Sequence, residues 1–241
     1  PLLAQQVIDF LRSRGVDHMV ALQYAHKPAM ARSMNRWMSE LVADQSDVTG
    51  LATVFPGEAN AREILDEAFG AGLAGVKLHC HVQRFAPDDP MMTEVYEACV
   101  AWNRPLVMHA GREPKSPAYA VDTYAICAVE RVEAVLRDHP GLRLCIPHLG
   151  ANELRGYLRL LENFEHLWLD TTMVLAYYFR AGDADPWDVV RARPDRSLFG
   201  TDFPNLPYAW DREVVRLAKR RDELSGFADI LGRNARLLYG P

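Results

Sequence analysis

Histidines, carboxylates and cations recur at the ends of short apolar runs in this 241-residue sequence. Lys77, His79 and His81 close one run, His109 closes another and is followed by Arg112 and Glu113, and His148 closes a third. Asp170 and Asp202 end two more, and His26 with Lys27 follow an earlier one. Imidazole and carboxylate together are the ligands of Zn²⁺ and similar divalent ions, and general acids and bases come from the same residue types. A single histidine at such a position is ordinarily a hydrogen-bonded structural residue, and His18, His139 and His166 are read that way. Several ionisable groups on one apolar mouth are another matter, because burying them is costly unless they pair or hold a cation. Lys77, His79 and His81 are spaced by two and share a face if the strand continues that far. Lys77 is then the deepest of them, either an ion-paired structural lysine or a carbamylated bridge between two metals.

These residues need elements that bring them to one end. The chain opens on an amphipathic stretch, Leu2–Arg14, and then alternates strand-like and helical segments. The strands are expected at Val16–Gln23, Thr49–Phe55, Ala74–Cys80, Arg104–Ala110, Leu142–Gly150, His166–Thr172 and Arg196–Phe203. Helices are expected at Ala29–Ala43, 60–70, Met91–Trp102, Thr123–Asp138, Asn152–Asn163, Pro186–Ala192, Asp211–Leu224 and Phe227–Leu238. Strict alternation implies a parallel sheet with helical crossovers, and strands apolar on both faces suit one. The fold class expected is α/β, a TIM (β/α)8-type barrel read as one domain over residues 1–241, with its active site at the C-terminal strand ends. Such a barrel has eight strand–helix units, and seven strands are legible; the missing one would precede Pro1.

Composition restricts the function classes. Hydrophobic residues at 49% suffice for one large core. A net charge of −5 argues against nucleic-acid and anionic-membrane binding, both of which need a basic surface. No apolar stretch is long enough for a membrane span, and the first residues lack the order of a signal peptide. Cys80, Cys99, Cys127 and Cys145 form no CxxC pair, as expected of reduced thiols in a cytoplasmic protein. Cys99 and Cys127 are read as helix packing residues.

The motifs GVKLHCHVQ (Gly75–Gln83), LVMHAGREP (Leu106–Pro114), IPHLG (Ile146–Gly150), LDTTM (Leu169–Met173) and LFGTDFP (Leu198–Pro204) together resemble the amidohydrolase superfamily. The branch they are most similar to is "amidohydrolase 2", TIM-barrel metal-dependent hydrolases related to aminocarboxymuconate-semialdehyde decarboxylase. The resemblance implies a divalent metal cofactor, Zn²⁺ first among candidates. It makes His109 the metal-binding histidine and Asp202 the aspartate that ligates the metal or takes the proton of the attacking water. It makes His148 a ligand of a second metal or an acid–base beside one. One departure stands out: the family's first strand carries an HxH ligand pair, and the only HxH here is His79-Cys80-His81. His79 is the candidate substitute among the metal ligands.

The activity expected is hydrolysis of an amide, lactone or ester-like bond of a small substrate, with Asp202 and His148 catalytic. Two alternatives remain: a decarboxylase or hydratase on the same scaffold, and a non-catalytic, metal-deficient barrel. His26, Lys27 and Arg112 are candidates to hold a substrate carboxylate, with Glu113, Lys77 and Asp170 beside the substrate. Tyr24, Tyr119, Tyr177 and Tyr178 would furnish aromatic walls. A homodimer is the base-rate expectation for assembly.

Overall fold

The computed structural model describes residues 3–113, 119–177 and 183–240; Pro1, Leu2, Pro114 and Tyr178 lie outside the described residues. Among the described residues, helix α1 (Ala4–Ser13) precedes seven strands, β1 (Met19–Ala21), β2 (Val48–Gly50), β3 (Val76–His79), β4 (Leu106–His109), β5 (Leu144–Ile146), β6 (Leu167–Asp170) and β7 (Ser197–Leu198). Between them run α2 (Ala31–Val42), α3 (Ala61–Gly70), α4 (Cys80–Gln83), α5 (Thr93–Ala101), α6 (Thr123–Ile126), α7 (Val129–Asp138), α8 (Leu154–Asn163) and α9 (Pro186–Ala192). Helices α10 (Arg212–Lys219) and α11 (Asn234–Tyr239) follow β7. Every strand pairing is parallel and sequential, β1 with β2 and then β3 through β7. The bridge between Ala52 and Val76 joins the two sets. This is the TIM-type α/β architecture expected from the alternation.

Side-chain alternation sorts the strands into two cores. Val76, Leu78, Leu106, Met108, Leu144, Ile146, Leu167 and Leu169 point outward and pack with the helices in the larger core. Val107, Cys145, Trp168 and Leu198 point inward and form a second core with Leu51. Leu238 of α11 is wholly buried in this inner cluster, with Ala235 and Tyr239 packed against it, so the C-terminal helix seals the barrel at the end away from the histidines.

The strands are shorter than the apolar runs that announce them. The run over Leu142–Gly150 leaves the sheet at Ile146 and becomes a 3₁₀ turn, with His148 (φ 58°) and Leu149 (φ 50°) left-handed. The segment 123–138 breaks into α6 and α7 around Cys127, and residues 229–233 form a π-type turn before α11. Strand β3 stops at His79, and Cys80–Gln83 coil into a single helical turn, so His81 is held by a helix rather than by a strand.

Candidate active site

Register creates the centre of the site. His79 and His109 are directly paired across β3 and β4, and their rings stack with centroids 4.0 Å apart. His81 meets His109 edge-on at 4.8 Å, and His148 approaches it from the turn after β5 at 4.7 Å. Four of the five histidines singled out from sequence therefore converge, and His81 takes part although it was not among the expected ligands. The fifth, His26, stands exposed with Lys27 on the loop after β1. Tyr24 packs edge-on to His79 and Tyr119 to His81, each at 5.0 Å.

The turn that delivers His81 is fixed by Gln83. Its amide donates to the carbonyls of Ala25 and Val54 at 2.8 and 2.9 Å, while its oxygen accepts from the His79 backbone N–H at 2.7 Å. One buried amide thus ties three strand ends together, spending both of its donor hydrogens in doing so. Neither Gln83 nor Glu153 was marked from sequence. Glu153 accepts from the backbone N–H groups of Arg112 (2.8 Å) and Val129 (3.1 Å) and from the Arg112 guanidinium (2.9 Å). The structure places Arg112 there, with its guanidinium over the Tyr124 ring at 4.8 Å.

Hydrogen-bond roles around His109 can be followed atom by atom. His148 Nδ1 lies 2.9 Å from the Thr172 carbonyl oxygen, which can only accept, so Nδ1 carries the proton. Burial holds both His148 and His109 below the usual imidazole range, so each ring carries one proton. The bare Nε2 of His148 then accepts from Nδ1 of His109 at 3.2 Å. His109 Nε2 is left bare, and it faces Glu113 Oε1, an acceptor, at 2.8 Å. Two acceptors that close need either a proton or a cation between them. Glu113 Oε2 lies 3.8 Å from Nδ1 of His81. Among the described residues, both ring nitrogens of His81 and Nδ1 of His79 are buried with no close hydrogen-bond partner; the Cys127 thiol, pulled down to about 6 by Cys80 and His81, interacts with His81.

Buried nitrogens without partners are costly unless something binds them. Donor atoms of His79, His81 and His109 lie within 4.8 Å of one another, and so do those of His109, Glu113 and His148. Either donor set, three imidazoles or two imidazoles and a carboxylate, fits a divalent transition metal. Asp202 belongs to neither group among the described residues.

Deeper in the barrel the charges pair. Lys77 is buried on β3, its amine lowered by burial and supported in charge by Asp170 and Asp202. Asp170 also accepts from the backbone N–H groups of His148 (3.3 Å) and Thr172 (3.0 Å), which holds the β5 and β6 turns together. Asp202, left-handed at φ 64°, is reachable by solvent at the mouth, yet the surrounding walls push its carboxyl up to about 6; Lys77 opposes this rise and Asp170 and Glu113 add to it. Left-handed backbone at a non-glycine residue costs on the order of 1 kcal/mol and concentrates at functional sites.

The sequence profile of the Amidohydro_2 family, described as amidohydrolase, matches residues 7–240. No curated protein matches. Among solved structures, an uncharacterized TIM-barrel protein from Bordetella bronchiseptica is 20% identical with a TM-score of 0.73, covering 98% of this chain and 82% of that one. The 5-carboxyvanillate decarboxylase from Sphingomonas paucimobilis is 19% identical with a TM-score of 0.67, covering 96% and 81%. A probable 2-pyrone-4,6-dicarboxylic acid hydrolase from Acinetobacter baumannii is 16% identical with a TM-score of 0.70, covering 98% and 88%.

Proposed function

Since the chain belongs to the amidohydrolase family, we propose that it is a metal-dependent hydrolase acting on an amide, lactone or ester-like bond of a small carboxylated substrate. The observation that carries this reading is the His79–His81–His109 group, whose donor atoms lie within 4.8 Å of one another, with buried nitrogens of His79 and His81 that lack partners among the described residues and with Glu113 2.8 Å from His109. His109, Glu113, His81 and His79 would hold the ion, with Zn²⁺ the first candidate for this donor set. When bound, a divalent ion supplies a Lewis acid and lowers the pKa of water from about 15.7 toward about 7.

The chain's own groups have separable tasks. Asp202, with a carboxyl near 6, is ionised at neutral pH and takes the proton of the attacking water, a general base matched to its working pH. His148 is held by Thr172 and gives its Nε2 to His109; it keeps the His109 ring oriented, as the outer partners of ligating histidines do. Lys77 offsets the negative charge of Asp170 and Asp202 and stabilises charge developing on the substrate oxygen. Lys27 and His26, exposed on the loop after β1, would meet a substrate carboxylate. The protein would act in the cytoplasm.

A decarboxylase or hydratase is the second reading. It draws on Asp202, whose raised carboxyl retains a proton under mildly acidic conditions and can deliver it to a carbanion after loss of carbon dioxide. The fold it shares with 5-carboxyvanillate decarboxylase is compatible with this chemistry and does not choose it.

The test is elemental analysis of the purified protein alongside a His109→Ala/Asp202→Ala double variant, followed by a substrate screen. One divalent ion per chain, lost in the double variant, supports a working metal site. A folded wild-type protein that takes up no metal removes both enzymatic readings and leaves a non-catalytic barrel. Hydrolysis without carbon dioxide release selects the first reading, and stoichiometric carbon dioxide the second.

A further inference from the structure

A separate group of residues lies on α10 and the turn after it. Arg212, Arg216 and Arg220 recur every four residues and so share one face of the helix. Each guanidinium sits over an aromatic ring: Arg212 over Tyr208 at 5.2 Å, Arg216 over Tyr177 at 4.6 Å and Arg220 over Trp187 at 4.7 Å. With Lys219 they line a cavity of about 520 Å³ whose walls include Trp187 and Asp211. That volume is typical of a small-molecule site.

Stacking uses the face of a guanidinium and leaves its N–H edges available as planar, paired donors. Arg220 spends part of its edge on Glu223 at 3.1 Å. Among the described residues, Arg212, Arg216 and Lys219 have no ion-pair partner. With Arg220 paired to Glu223, three further cations face the single lining carboxylate of Asp211, which makes a positive pocket in a protein whose net charge is −5. The aromatic rings fix the arginines in place, which lowers the entropy lost when an anion binds. None of the lining residues belongs to the histidine cluster.

We propose that this cavity binds a small anion carrying two negative charges, a phosphate monoester or a dicarboxylate, through the N–H edges of Arg212 and Arg216 with Lys219 adding charge. Bidentate pairing with planar or tetrahedral oxyanions is what arginine does best. The site touches the loops that leave β6 and β7, because Tyr177 belongs to the first and Tyr208 to the second. Its occupant therefore contacts the segments that run on from Asp170 and Asp202 without entering the site itself, so the inference does not depend on the hydrolase reading.

Calorimetric titration of the full chain with inorganic phosphate, phthalate and chloride at matched ionic strength tests this. The expected result is saturable binding of one phosphate or phthalate per chain, at least about tenfold weaker in Arg212→Gln/Arg216→Gln and unchanged in Asp202→Asn. Phosphate without phthalate assigns phosphate esters as the source, and the reverse assigns dicarboxylates. Absence of saturation, equal response to chloride, or affinity unaltered in the double variant overturns the proposal. Should that variant fail to fold, Lys219→Gln and Arg216→Lys provide the same comparison, with the lysine keeping the charge but losing the paired donors.

Discussion

His109 is the residue on which the site turns. Its Nδ1 is committed to His148, and its Nε2 faces Glu113 beside the buried nitrogens of His79 and His81. His81→Gln is therefore expected to weaken metal binding by more than about two orders of magnitude, beyond the roughly 10–100-fold that loss of an outer partner costs, as measured by competition with a chromophoric chelator. Unchanged affinity in that variant would place the ion on other donors. Asp202→Asn should lower turnover by about a thousandfold or more while leaving metal content close to that of wild type, since Asp202 lies outside both donor groups. Loss of the ion together with activity would make Asp202 a ligand instead of the base. The chemical types of these residues were legible in the sequence, and so was their common address at strand ends. The role of His81 was not, because strand periodicity says nothing about a side chain after the strand has turned into α4.

At the scale of elements, the loops are fitted by close backbone approach. Gly111 is left-handed (φ 100°), and a Cβ there would lie 2.5 Å from the Gly150 carbonyl oxygen. This contact brings the loop carrying Glu113 against the turn carrying His148. Gly111→Ala should cost on the order of 2 kcal/mol or more, with lower metal affinity in the fraction that folds; chemical denaturation with metal analysis would show both. A near-neutral effect would mean the two loops can separate without harm to the site. Glu153 serves the same junction by accepting from Arg112 and Val129. The repeated apolar runs announced all seven strands in order, but their ends and the splitting of 123–138 into α6 and α7 were set by backbone groups seeking partners outside the local sequence.

The whole molecule has a stability that depends on both ends of the barrel. Leu238 of α11 is fully buried in the inner core. Leu238→Ala is expected to destabilise the fold by about 2–5 kcal/mol without changing metal stoichiometry, because the histidines stand at the opposite end. Glu213 of α10 is fully buried, accepts from the Ala176 N–H and the Tyr208 hydroxyl, and has its carboxyl pushed up to about 7 by burial. A carboxyl raised above its unfolded value favours the folded state while protonated, so its stabilisation is complete below about pH 4.5 and fades as pH rises through 7. The fall should be on the order of 3 kcal/mol. Glu213→Gln should remove it and be the more stable protein at pH 8, read from denaturant midpoints at several pH values. Parallel pH profiles for the two proteins would show that Glu213 is ionised without penalty.

Sequence alone determined the architecture, because the alternation of apolar strands with amphipathic helices admits few arrangements other than a parallel sheet wrapped by helices. It also determined which end is polar, since side-chain alternation and strand direction assign that face. What only the tertiary structure decided is which of those polar groups meet. The stacking of His79 on His109 depends on the register between β3 and β4, the place of His81 on the Gln83 amide, and the facing acceptors of His109 and Glu113 on a chain of hydrogen bonds that begins at Thr172. Register and hydrogen-bond direction arise from contacts distant along the chain, so no local pattern of residues encodes them.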